Sequence, residues 1–219
     1  MQRTNNRQTG VAATFSLILI KPSVASGVEG RPAGIPAAVR GKTDRGRGMK
    51  ISVILPCFNG AQTISEQLDS LIQQRWDEGW ELVFVDNGST DDSATIVESY
   101  RDRLPELRIV SAHEPGTPHR GAYHSYNTGF RHATGDAFVL CEADDRAGDG
   151  WLEAMGQALR QHPFICGRLE HNRLNPWLDV RRFPQLQEQG LQDLSRKEPR
   201  WWIAWGCTFG IRRDAFEFL

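Results

Sequence analysis

The sequence lacks the glycine signatures that open several large enzyme classes. No Gly-x-Gly-x-x-Gly follows its first apolar run, which argues against a dinucleotide-binding domain. No Gly-x-x-x-x-Gly-Lys is present, so there is no NTPase phosphate loop, and no Gly-x-Ser-x-Gly elbow marks an α/β-hydrolase. Long hydrophobic runs are missing too. Val11 to Ile20 is mostly apolar, but ten residues cannot cross a bilayer. The four cysteines, Cys57, Cys141, Cys166 and Cys207, lie far apart with no Cys-x-x-Cys or Cys/His spacing, so zinc is not indicated and reduced core thiols are expected. The six histidines form no ligand spacing, and His119, His124 and His132 read as surface residues. No internal repeat is visible.

Charge is distributed unevenly. Residues 1–48 hold eight Lys/Arg against two acids, whereas the remainder holds eighteen against twenty-five. An acidic body of that kind is not built to coat nucleic acid. The first 48 residues also contain seven Gly and three Pro, with an Arg-rich end at Arg40 to Arg47. That composition predicts a disordered basic extension. Ser23-Val-Ala25 after the apolar run has the small-residue pattern of a signal-peptidase site, but Met49, directly before the first strand, reads as the natural start. The expected division is therefore an extension over 1–48 and one domain over 49–219, long enough to bury a sizeable core.

From Lys50 the chain alternates. Ile51 to Leu55 predicts a strand stopped by Pro56 and Asn59-Gly60, and Ile64, Leu68, Leu71 and Ile72 give a helical face. Leu82 to Val85 predicts a second strand ending in Asp86-Asn-Gly-Ser-Thr-Asp-Asp92, where Asp86 or Ser89 could cap the helix marked by Ile96, Val97 and Tyr100. Leu107 to Val110 is a third strand, and Ala122, Tyr126, Gly129 or Phe130, and Ala133 share a helical face. Ala137 to Cys141 reads as a buried central strand, followed by a helix with Trp151, Met155 and Leu159 inward. Residues 168–200 predict an irregular excursion with a helix, Trp201 to Ile211 a late strand, and Arg213 to Leu219 a helix start. Strand–helix repetition with such connections predicts an α/β fold, a mostly parallel sheet flanked by helices.

The central strand runs straight into three carboxylates, Glu142, Asp144 and Asp145. Open α/β sheets bind ligands at the carboxyl ends of their strands. Glu142 and Asp144 are two apart and would point the same way on an extended chain. Two hard oxygen donors suit a divalent cation whose other ligands come from a substrate phosphate.

Four motifs in register carry a resemblance: Ile51-Ser-Val-Ile-Leu-Pro-Cys-Phe-Asn59, Val85-Asp-Asn-Gly-Ser-Thr-Asp-Asp92, Asn127-x-Gly129 with Ala133-Thr-Gly135, and Cys141-Glu-Ala-Asp-Asp145. Together they resemble family 2 glycosyltransferases of the GT-A fold over residues 50–219. Trp205 to Phe216 resembles the segment just before that family's acceptor-side region. The resemblance implies a nucleotide-diphosphate sugar donor and a Mn²⁺ or Mg²⁺ ion, with a saccharide or lipid-linked acceptor. It implies a cytoplasmic site, with room for peripheral contact at the inner membrane face. It puts Pro56, Phe58 and Asn59 around the nucleoside, Asp86 on the base, and Asn127 and Asp145 among the donor-binding residues. Glu142 and Asp144 fall on the metal motif.

The sequence departs from that family at three places. Glu142 stands where Asp is usual, and Gly60 and Tyr126 replace the more frequent Glu and Arg. The stretch that supplies the family's general base would lie beyond Leu219, so no catalytic base is assigned. The resemblance thus implies metal-dependent, inverting sugar transfer. Two alternatives stand beside it: a fragment that binds nucleotide sugar without transfer, and a sugar-phosphate nucleotidyltransferase, whose Gly-rich, Arg/Lys-bearing loop is absent.

Overall fold

The computed structural model describes residues 17–18, 48–118, 120–167 and 204–218. The expected excursion over 168–200 lies outside the described residues, as do His119 and most of the amino-terminal extension. The strands are β1 (Leu17–Ile18), β2 (Ile51–Cys57), β3 (Trp80–Asp86), β4 (Leu107–Ser111), β5 (Ala137–Leu140), β6 (Phe164–Cys166), β7 (Ala204–Trp205) and β8 (Phe209–Arg212). The helices are α1 (Ile64–Leu71), α2 (Ser93–Glu98), α3 (Ala122–His132), α4 (Trp151–Gln161) and α5 (Arg213–Phe216).

Six strands form one sheet in the order β4-β3-β2-β5-β8-β6. The first four run parallel, while β8 lies antiparallel to both β5 and β6. A separate two-residue ladder pairs β1 with β7.

Both faces of this sheet are covered, and that explains its nearly continuous apolar strands. Alternate residues of β2 go to opposite sides. Ile51, Val53, Leu55 and Cys57 pack with Ile64, Leu68 and Leu71 of α1, Val97 of α2, and Leu152, Met155 and Leu159 of α4. Ile54 packs on the other side with Val83, Val85, Phe138 and Leu140 against Tyr126 and Phe130 of α3. Phe216 of α5 completes that side in ring contact with Phe130 and Phe138. Arg213 donates from Nη2 to the Ala133 carbonyl at 2.9 Å and from Nε to that of Gly135 at 2.8 Å, so a cation meets the carboxyl end of α3.

Pro56 does not end β2, contrary to the sequence expectation. The main-chain groups of Ile54 face β5, since its carbonyl accepts from Cys141 N, while Cys57 faces β3 through Asn87 N. By the two-residue repeat Pro56 faces β5, whose last paired residue, Leu140, lies opposite Ile54. The N–H that proline lacks would have had no strand partner there, so the pairing with β3 continues to Cys57 and Asp86.

The late strand also differs from expectation. Residues 201–203 lie outside the described set, and the apolar run after them divides into β7, a 3₁₀ turn over Gly206–Thr208, and β8. Strand β6, an edge strand after α4, was not anticipated. Only three residues long, it carries too little pattern to separate from a helix end.

Candidate functional site

Register brings three strand ends together. Cys57 of β2 lies opposite Asp86 of β3, and Ile54 of β2 lies opposite Leu140 of β5. The loops after them, 58–63, 87–92 and 141–150, therefore share the carboxyl edge of the sheet.

The first two loops are bound to each other. Asn59 N donates to Ser89 Oγ at 3.0 Å, Thr90 N to Asn59 Oδ1 at 2.8 Å, Gly60 N to Ser93 Oγ at 2.9 Å, and Ala61 N to Asp91 Oδ2 at 2.9 Å. Asn59 holds a positive φ of 53°, which asparagine tolerates better than most residues. Its side-chain oxygen thus fixes the loop. Phe58 next to it is half exposed at 51%. Asp86 accepts from Ser89 N through Oδ1 at 3.0 Å, closing the turn after β3. Neither Asp86 nor Ser89 caps α2, which begins later, at Ser93; the Ser93 N–H goes to Asp91 Oδ1 instead.

The acidic group is not an extended strand end. β5 stops at Leu140 and the chain turns at residues 143 and 144, so Glu142 and Asp144 do not project as a matched pair. Glu142 is partly buried and receives the Tyr126 hydroxyl of α3, whereas Asp144 is exposed. Asp145 is partly buried; the Cys207 thiol bonds to it, but its Oδ2 has no hydrogen-bond partner among the described residues. Burial and the negative charges of Asp145 and Asp144 push Glu142 up to about 7, against the opposing bond from Tyr126. Burial and Asp144 push Asp145 to about 7 as well. Tyr126 and Cys207 are both raised, chiefly by burial and by these acids. Among the described residues no Lys or Arg forms an ion pair with these three carboxylates.

Asn127 is exposed on α3, where its main-chain carbonyl accepts from Arg131 Nε at 3.1 Å. No hydrogen bond links it to the acids among the described residues. Sequence reasoning missed Gln67 and Ser70 of α1 and Gln74 just beyond it, which are buried and bind the acidic loop. Their signal was a polar residue at a buried helical angle, Gln67 beside Leu68 and Gln74 three after Leu71.

Residues 52–219 match the family described as Glycosyl transferase family 2. The chain belongs to this family. Its sheet and helices form the GT-A fold. A poly(ribitol-phosphate) beta-glucosyltransferase of Bacillus spizizenii is 33% identical over 105 residues, which is 46% of this chain and 16% of that protein. The crystal structure of TarS residues 1–349 from Staphylococcus aureus superposes with a TM-score of 0.50 at 29% identity, covering 56% of this chain and 36% of that one. The mannosyltransferase PcManGT from Pyrobaculum calidifontis, solved with GDP-Man and Mn²⁺, gives a TM-score of 0.55 at 25% identity, covering 77% of this chain and 46% of that one. The matched region spans less than half the length of each of these proteins.

Proposed function

We propose that this family 2 chain transfers a sugar from a nucleoside diphosphate to an acceptor hydroxyl, with a divalent cation at the Glu142–Asp145 group and inversion at the anomeric carbon. The observation that carries this reading is the cluster of three carboxylates at the carboxyl end of β5, one with a buried oxygen that has no partner among the described residues. The donor set fits a hard cation. Burial first, and the charge of the neighbouring acids second, lift two carboxyls to about 7, and a bound cation would offset both. Among the described residues no group of three or more His, Cys, Asp or Glu could hold a metal ion, so this reading requires diphosphate and water to supply the remaining ligands. A relative crystallised with GDP-Man and Mn²⁺ supports the same reading.

Asp144, exposed, and Glu142, held by Tyr126, would carry the cation, which acts when bound as a Lewis acid on the leaving diphosphate. Asp86 would accept an N–H of the base, while Pro56, Phe58 and Asn59 wall the nucleoside and Asn127 and Asp145 stand around the donor. The acceptor oxygen bonds to the anomeric carbon as the bond to diphosphate breaks, and an in-line displacement inverts that carbon. The acceptor proton needs a carboxylate base. Asp214 accepts from Arg212 Nε at 2.9 Å and Nη2 at 2.8 Å, and Glu217 pairs with Arg213, so neither is assigned that role.

A saccharide or lipid-linked hydroxyl is the proposed acceptor, reached from the cytoplasm with peripheral membrane contact. No helix among the described residues is long and apolar enough to cross a membrane.

Calorimetry with UDP and with GDP, in Mn²⁺ and in EDTA, tests this reading. Mn²⁺ should strengthen binding of one nucleotide, and Asp144→Asn should remove only that gain. Asp86→Ala should weaken binding in both conditions. Nucleotide affinity indifferent to Mn²⁺ and to both substitutions would overturn it. Binding without sugar release from the matching nucleotide sugar would favour the second reading, donor binding alone, to which the engaged state of Asp214 points.

A further inference from the structure

The loop from Cys141 to Gly150 carries all three acids and has no helix or strand of its own. Its main chain is held by side chains of one neighbouring segment. Gln67 Nε2 donates to the Glu142 carbonyl at 3.1 Å. Ala147 N donates to both Gln67 Oε1 and Ser70 Oγ, each at 3.0 Å. Gln74 Nε2 donates to the Gly148 carbonyl at 3.0 Å, and Leu152 N donates to Gln74 Oε1 at 3.1 Å. Ser70 Oγ ties the set together, donating toward the Gln67 carbonyl at 2.7 Å and Oε1 at 2.9 Å.

These three side chains are 0%, 7% and 3% exposed, among apolar neighbours Ile64, Leu68 and Leu71. Buried amides cost free energy unless each end is bonded, and apolar residues would fill the same space at lower cost. Here both ends of both glutamines are used, and every long-range bond goes to the acidic loop or to the first turn of α4. A fully satisfied polar network of this kind fixes one arrangement where an apolar contact would allow several.

We infer that Gln67, Ser70 and Gln74 are positioning residues for the cation-diphosphate site. They act on the main chain at residues 142, 147, 148 and 152, and so set where the Glu142 and Asp144 carboxylates stand. The inference rests on the functional reading above. A second role follows for α1: it carries the core contacts of its side of the sheet and the register of the acidic loop on the same face.

The test uses the full chain with Gln67→Met, which keeps the volume and removes the amide. UDP and GDP binding is measured by calorimetry in Mn²⁺ and in EDTA, with Mn²⁺ environment followed by electron paramagnetic resonance and folding by thermal melts. Loss of an outer-shell partner typically costs about 10-fold or more in metal affinity. The expected result is a loss of that order in the Mn²⁺-dependent affinity and a broadened Mn²⁺ signal, with EDTA affinity unchanged. Adding Ser70→Ala, which leaves Ala147 N with no acceptor, should deepen the loss. Should Gln67→Met fail to fold, Gln74→Met and Ser70→Ala each remove one arm and serve in its place. A folded variant that keeps wild-type Mn²⁺ dependence, or loses affinity equally in EDTA, overturns the positioning role alone. A wild-type chain with no Mn²⁺-dependent nucleotide binding overturns the functional reading, and this inference with it.

Discussion

Glu81 of β3 is a carboxylate whose side chain has no exposure to water. It accepts from Ser52 Oγ at 2.7 Å and from Thr134 through both N–H and hydroxyl, with Arg108 at 3.5 Å. Burial alone would raise its pKa, but the bonds from Ser52 and Thr134 and the charge of Lys50 outweigh it and hold the carboxyl below its ordinary 4.5. The folded state therefore binds this proton less readily than the unfolded chain. Stability from Glu81 is fully present above about pH 4.5 and is lost as pH falls through the lower folded value. Glu81→Gln should cost about 1–3 kcal/mol at pH 7, and urea unfolding followed from pH 6 to pH 3 should show a shallower acid loss than wild type. Equal slopes would mean that Glu81 is not the group responsible. Nothing in the sequence marked this residue, because a single Glu in an apolar run reads as an outward-facing position. The donors to it come from β2 and from the turn after α3, brought together only by the sheet. The same holds for Tyr126: its helical face was legible, but its bond to Glu142 needed two elements sixteen residues apart to meet.

At the scale of elements, α3 shows what the Asn127-x-Gly129 motif is for. A Cβ on Gly129 would lie 2.4 Å from Ile54 Cγ2 and 3.2 Å from Val85 Cγ2, so this helix rests directly on β2 and β3. Alanine there gains about 1 kcal/mol of helix propensity but meets an overpacking cost of about 1–3 kcal/mol. Gly129→Ala should therefore lower the melting temperature, and by lifting α3 should also draw the Tyr126 hydroxyl away from Glu142. Near-ultraviolet circular dichroism reports the second effect, and an unchanged melt and spectrum would show that the sheet yields without cost. The motif was visible in the sequence as a pattern; the reason for it is a distance between elements. Strand β5 teaches the opposite lesson. Its apolar run predicted a strand correctly, yet the chain turns two residues sooner than extension would allow, and the same-side placement of Glu142 and Asp144 went with it.

At the scale of the molecule, both cores and all six strands of the main sheet begin at Met49 or later. Among the described residues before Gly48, Leu17–Ile18 alone pair with anything, in a two-residue ladder to Ala204–Trp205. A ladder so short contributes little beside the sheet. Truncation to Met49 is expected to leave the melting temperature and nucleotide affinity unchanged. Met49 itself stays in place, its carbonyl accepting Trp76 Nε1 at 2.7 Å and its N–H bonded to Glu78. A fall of several degrees on truncation would show that the ladder, or other parts of residues 1–48, supports the fold.

The sequence by itself determined the order and type of the parallel elements, because burial on both faces writes continuous apolar strands and amphipathic helices into local composition. It also determined that acids follow the central strand and that an Asp closes the second. Tertiary structure alone decided that β8 runs antiparallel between β5 and β6, since pairing direction leaves no local pattern in strands of three or four residues. It decided, too, that Pro56 stays inside β2, because only the early end of β5 makes its missing N–H harmless. The unequal exposure of Glu142 and Asp144, and the support of their loop by Gln67, Ser70 and Gln74, likewise depend on side chains from α1 and α3. Those contacts join residues up to eighty positions apart, a separation at which the periodicity of a single segment carries no information.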